Sequence, residues 1–211
     1  MEQKIIRSFF FPITAEKRAE GEEEYVIEGR PIVYDSVTDI GYFRETIAKG
    51  ALDNTDLKDV PLLINHDDNG LPLARSRNNN ANSSMQLLVD DEGMLIRTKL
   101  DVEKNPQAQA LYSSVLRGDI DGMSFAFSIA DEEWTGLDTE APLRTVKEIS
   151  KVYEVSCVTW PAYKSTSVEA RNDAQALESA REALESAKQA EAHKEKLSKL
   201  SETLDKLDGK E

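Results

Sequence analysis

Asp121-Gly122-Met123-Ser124-Phe125-Ala126-Phe127-Ser128-Ile129 alternates without interruption. Met123, Phe125, Phe127 and Ile129 fall on one side of an extended chain, and Ser124, Ala126 and Ser128 on the other. A period of two is the mark of a β-strand with a large apolar face. The opposite face is small: Gly122 and Ala126 flank Ser124 and leave room for a peptide to approach its hydroxyl.

The neighbouring sequence repeats the extended theme. Downstream, residues 144–160 read as a strand ending at Pro161, with Glu148, Ser150, Val152, Glu154 and Ser156 sharing its even face. Immediately upstream, residues 106–116 are the one convincing helix of the body. Ala108, Leu111, Tyr112 and Val115 recur at helical spacing, and Gly118 follows the end. Before that, residues 84–90 and 93–101 form a hairpin across Asp91-Glu92. Val60-Pro61-Leu62-Leu63-Ile64-Asn65-His66 is read as a strand whose even positions share a face, placing His66 beside the turn-forming Asp67-Asp68-Asn69-Gly70. Residues 42–47 lead into a short helical turn at Lys49-Gly50-Ala51-Leu52. Further back, residues 24–34 form a strand in which Gly29 and Pro31 call for a bulge or an edge. Residues 4–13 form a first strand, and residues 16–24 a polar loop. Frequent strands around one embedded helix give a mostly-β, α+β body shaped as a small barrel or sandwich.

After Val168 the composition turns to Ala, Glu, Lys and Leu. Leu177, Ala180, Leu184 and Ala187 step by three and four, as do Leu197, Leu200, Leu204 and Leu207, but the second run is one residue out of phase. Residues 1–167 are therefore expected to be the working domain. Residues 168–211 are expected to be a charged amphipathic helix or coiled coil that serves assembly rather than chemistry.

Composition removes several classes of function. The formal net charge is −14, to which residues 168–211 add about −3 (eleven acidic against eight basic), so the body carries most of it. An acidic surface has no clustered Lys and Arg to neutralise phosphates, which argues against nucleic-acid or anionic-membrane partners. No run approaches the roughly 20 apolar residues of a membrane helix. Cys157 is alone, so neither a disulfide framework nor a thiolate metal cluster is expected. With no secretory signal recognisable near Met1, a reducing cytoplasm is the simplest compartment.

Only two histidines exist, and His193 lies in the charged tail, so His66 is the one imidazole available to the body. A serine hydroxyl becomes a nucleophile when an imidazole takes its proton and a third group fixes that imidazole. Ser124 and His66 suit the first two roles. For the third, Glu154 is preferred over Glu148 because its flanks are apolar, and a carboxylate there is costly unless paired. A metal centre is not expected: zinc would need further His or Cys, and hard cations more clustered oxygens. No cofactor is called for. A Cys157–His66 thiol pair is disfavoured because Cys157 has the opposite strand parity to Glu154.

Four segments in order resemble the prohead (capsid maturation) serine proteases of tailed phages: Phe43–Leu52, Leu62–Asp67, Ile120–Phe127 and Tyr153–Tyr163. The resemblance runs from about residue 24 to 167. It implies a fold similar to the herpesvirus assemblin protease, a β-barrel ringed by helices. It also implies an endopeptidase that cuts scaffold, capsid protein and itself inside the assembling prohead in the host bacterial cytoplasm, with the major capsid protein and scaffold as partners and a possible homodimer. In the herpesvirus relatives the third catalytic residue is a second histidine; this chain has none to offer, which supports a Ser–His–Glu arrangement. Those relatives also use an arginine pair after this strand, where this chain has Trp160-Pro161-Ala162, so backbone N–H groups are expected to hold the oxyanion. Two other classes compete: a non-catalytic scaffolding protein, which leaves the His66 and Ser124 segments unexplained, and a metal-dependent hydrolase, which requires chelator-sensitive activity.

Overall fold

A computed structural model of the protein describes residues 3–9, 13–18, 24–160 and 167–208. Alternating apolar residues drive most of its strands: β1 (Ile5–Phe9), β2 (Ile13–Arg18), β3 (Glu24–Val33), β4 (Thr38–Asp39), β5 (Arg44–Ile47), β6 (Asp59–Ile64), β7 (Ala74–Arg77), β8 (Met85–Asp90) and β9 (Gly93–Leu100). Helix α1 (Pro106–Arg117) follows, then the long strands β10 (Gly122–Thr135) and β11 (Leu143–Val158), and last the helix α2 (Ser167–Asp208).

These strands make two sheets. The larger runs β1-β10-β11-β5-β4, with β6 added to β11 and β7 to β6; the smaller runs β2-β3-β9-β8. Strand β11 is long enough to pair in parallel with β5 at Leu143–Val146 and with β6 at Val155–Cys157. That double pairing carries the chain after β6 to the end of β11. Phe125, Phe127, Met123 and Val155 from the large sheet share one core with Ile27, Ile32, Met94 and Ile96 from the small one. Gly29 sits where the layers approach: a Cβ there would lie 2.6 Å from the Met123 sulfur, one residue from Ser124.

Helix α1 is closed at both ends by its own sequence. Asn105 accepts from the Gln107 and Ala108 amides, Pro106 occupies the first turn, and Gly118 ends the helix in the left-handed region at φ 75°. Its buried face (Ala108, Leu111, Tyr112, Val115) is the expected one.

Several expectations need correction. The first strand is two: β1 and β2 belong to different sheets, and Glu16–Arg18, expected in a loop, pair with Val26–Glu24. Gly29 and Pro31 do mark a register shift, but in the middle of the small sheet. Strand β7 was not anticipated, because Ala74-Arg75-Ser76-Arg77 has too few apolar residues to signal a strand. Among the described residues the pairing closes no barrel; the large sheet ends at β1 on one side and at β4 and β7 on the other. Helix α2 is continuous, and Asp173 and Leu177 in its early turns are buried, whereas residues 178–196 are exposed or half-buried. The side chains of the second leucine run lie outside the described residues.

Candidate active site

The site begins where β6 stops. Asn65 and His66, expected to continue the strand, adopt the left-handed region at φ 50° and 61°. Asn65 tolerates this conformation and ties two strand ends together. Its amide donates to the Cys157 carbonyl (3.0 Å), its Nδ2 donates to Thr159 Oγ1 (3.1 Å), and its Oδ1 accepts from the Thr159 amide (2.9 Å). For His66 the same conformation costs about 1–2 kcal/mol. Its backbone amide is secured by the Ser156 hydroxyl at 3.2 Å.

The turn aims the imidazole at β11. His66 Nδ1 lies 2.6 Å from Glu154 Oε1, and the other carboxylate oxygen accepts from Ser156 Oγ at 2.7 Å. Glu154 is 2% exposed. A hydrogen bond to a charged group contributes about 1.5–3 kcal/mol, enough to offset the strain at His66. With the carboxylate accepting at Nδ1, the neutral ring carries its proton there and leaves Nε2 as the base. Nε2 is buried and has no hydrogen-bond partner among the described residues.

Ser124 comes from β10, opposite Ser156 on β11 and opposite Ser8 on β1. Three serines therefore form a row across three strands. Ser124 is fully buried. Its hydroxyl donates to the Arg7 carbonyl at 2.9 Å and accepts from Ser8 Oγ at 2.8 Å. So His66 and Glu154 are joined, while the Ser124 hydroxyl is bonded to β1 and not to Nε2. Glu148, the alternative carboxylate, pairs across from Asp131, six residues before Glu154 on β11.

Sequence reasoning missed the neighbours that organise the site. Ser156 was seen on the Glu154 face but given no task; it joins the carboxylate to the His66 turn. Arg7 interrupts the apolar run of Ile5, Ile6 and Phe9, yet it is 6% exposed. Its Nε donates to Glu45 Oε1 (2.6 Å) and its Nη2 to Asp173 Oδ1 on α2 (2.8 Å). Burial alone would lower the guanidinium's pKa; the carboxylates of Glu45 and Asp173 outweigh that and raise it. Arg144 extends the cluster, bonding Glu45 (3.4 Å) and Glu132 (2.7 Å). The only advance signal was an arginine among Ile5, Ile6 and Phe9.

Cys157 is buried, and desolvation pushes its thiol up to about 12, which makes it inert rather than a nucleophile. Of the expected oxyanion segment, Trp160 is 85% exposed, and Pro161 and Ala162 lie outside the described residues.

The chain is 24% identical over 182 residues to the prohead protease of Enterobacteria phage HK97, covering 85% of this chain and 74% of that one. The solved capsid assembly protease of bacteriophage T4 aligns with 75% of this chain and 98% of its own, at 13% identity and a TM-score of 0.46. The model of the caudovirus prohead serine proteases matches residues 13–180, and the chain belongs to that family of capsid-maturation serine peptidases.

Proposed function

We propose that Ser124, His66 and Glu154 are the nucleophile, the general base and the orienting carboxylate of this protease. The observation that carries the reading is the 2.6 Å contact between His66 Nδ1 and the buried Glu154, with Nε2 left without a hydrogen-bond partner among the described residues. In the reaction the Ser124 hydroxyl turns from the Arg7 carbonyl to Nε2. His66 takes the proton as Oγ attacks the substrate carbonyl carbon, and the tetrahedral oxyanion is held by backbone N–H groups. The imidazolium then protonates the leaving amine, the C–N bond breaks, and an acyl-Ser124 ester remains. Water repeats the sequence and releases the acid. Glu154 stays ionised throughout and stabilises the imidazolium; Ser156 holds its second oxygen and so positions the ring.

The substrates are the scaffold and major capsid protein of the same phage, inside the prohead in the host cytoplasm, and the chain itself. Residues 1–167 form the catalytic domain and the remainder of α2 an assembly segment, able to pair as a coiled coil in a homodimer. The alternating leucines and alanines from Leu177 to Ala187 support that role. The test is intact mass of wild type and Ser124→Ala over time, alone and with the cognate capsid protein: new termini in wild type only are expected.

A further inference from the structure

Strand β1 lies along β10 in antiparallel register from Ile5↔Phe127 to Phe9↔Met123. It forms the outer edge of the large sheet and, among the described residues, pairs with no other strand. Its Arg7 carbonyl accepts a hydrogen bond from the Ser124 hydroxyl, and its Ser8 hydroxyl donates one to Oγ. A peptide laid along β10 in this register brings its own carbonyl to the same place, because main-chain pairing fixes where each carbonyl falls whatever the side chains are.

We propose that the edge of β10 from Met123 to Phe127 is a docking strip for an extended peptide, and that β1 is its resident competitor, withholding Ser124 until it is displaced. The inference rests on Ser124 being the nucleophile. Two further observations support it. First, the proposed base is unused: Nε2 of His66 is buried without a partner among the described residues although Glu154 is already in place. Second, beyond its pairing with β10, β1 is anchored through the Arg7 side chain. Arg7 bonds Glu45 and Asp173, both almost fully buried, and Lys4 adds an exposed pair with Asp68 at 3.2 Å, beside the His66 turn.

That anchor also defines the chemistry of what replaces β1. Withdrawing Arg7 takes from two buried carboxylates the cation they share and leaves Arg144, bonded to Glu45 at 3.4 Å. Uncompensated buried charge is strongly unfavourable, so the peptide best able to displace β1 carries Arg or Lys at the position of Arg7. Because Asp173 belongs to α2, the helix contributes to the lock.

The experiment reads labelling of Ser124 by a fluorophosphonate in the full-length chain, with Ser124→Ala as the blank. The rate follows the fraction of molecules with β1 off the strip. Arg7→Gln is expected to raise that rate about tenfold or more. The double variant Ile6→Cys/Ala126→Cys joins registered partners by a disulfide, which is expected to abolish labelling until a reductant restores it. A peptide copying residues 3–9 is expected to slow labelling of Arg7→Gln, while a copy with Glu in place of the arginine is not. Equal labelling of wild type, folded Arg7→Gln and the oxidised double variant, all lost in Ser124→Ala, overturns the competitor and keeps the nucleophile. Equal slowing by both peptides overturns the basic preference. If Arg7→Gln does not fold, the reversible disulfide decides alone. No labelling of folded Arg7→Gln and of the reduced double variant overturns the competitor and the nucleophile together.

Discussion

Two halves of one site sit on adjacent strands in different states. On β11 and the turn after β6, Glu154, Ser156 and His66 are bonded to one another at 2.6–3.2 Å, each through a partner that the others fix. On β10, Ser124 is bonded to β1, an edge strand anchored through a buried ion cluster. The first half draws its order from two strand ends tied by Asn65. The second draws it from residues far away in sequence, Arg7 and Asp173. On the proposed assignment, catalytic competence divides into a part built into the sheet and a part that an edge strand switches.

The strongest way to break the comparison is to remove either half. Ser124→Ala and His66→Ala are each expected to lower kcat for capsid-protein cleavage by about 10⁴-fold or more, read by mass spectrometry of the products. If His66→Ala kept near-full activity, the assembled half would be structural.

Glu45→Gln attacks the second half alone. Removing one member of a buried charge cluster is expected to cost about 3–5 kcal/mol, read as a drop in the urea midpoint. Amide exchange is expected to speed up along Ile5–Phe9 while Glu154 and Ser156 stay protected. Uniform loss of protection would merge the two halves into one cooperative unit.

Ser156→Ala sharpens the first half. Losing a hydrogen bond to a charged carboxylate is expected to reduce kcat/KM about ten- to a hundredfold, with the loss in kcat, recovery in Ser156→Thr and a shifted pH profile. An unchanged profile would limit Ser156 to fixing the turn.

Much of the first half was legible. His66 is the only body histidine, and Glu154 lies among apolar neighbours, so elimination and the cost of burying charge led to both. The turn that joins them was not, because a left-handed His66 at φ 61° leaves no periodic trace and depends on Ser156, 90 positions later in the chain. The strand carrying Ser124 was plain from its alternation. What covers Ser124 was not: Ile5–Phe9 looks apolar, and only the placement of Glu45 and Asp173 turns Arg7 from an interruption into an anchor. Likewise β7 follows from β6 offering it an edge, which local sequence does not encode.

The smallest expected effect belongs to neither half and serves as the control. The Arg30 guanidinium, with the Glu92 amide, holds Asp90 down to about 2. Its folded pKa lies below the ordinary carboxylate value, so its contribution is present above about pH 4 and fades as pH falls toward 2. Asp90→Asn is expected to flatten the stability profile slightly in that window, seen by thermal melts, and to leave Ser124 labelling unchanged. Altered labelling would show the small sheet to be coupled to the site.

The most direct measurement is cleavage of the cognate major capsid protein by wild type beside Ser124→Ala, with intact masses followed over time. The account predicts discrete truncations that appear only with wild type and at the same bonds in every preparation. Identical truncation by both proteins, or none by either, would contradict the assignment of Ser124 as the nucleophile.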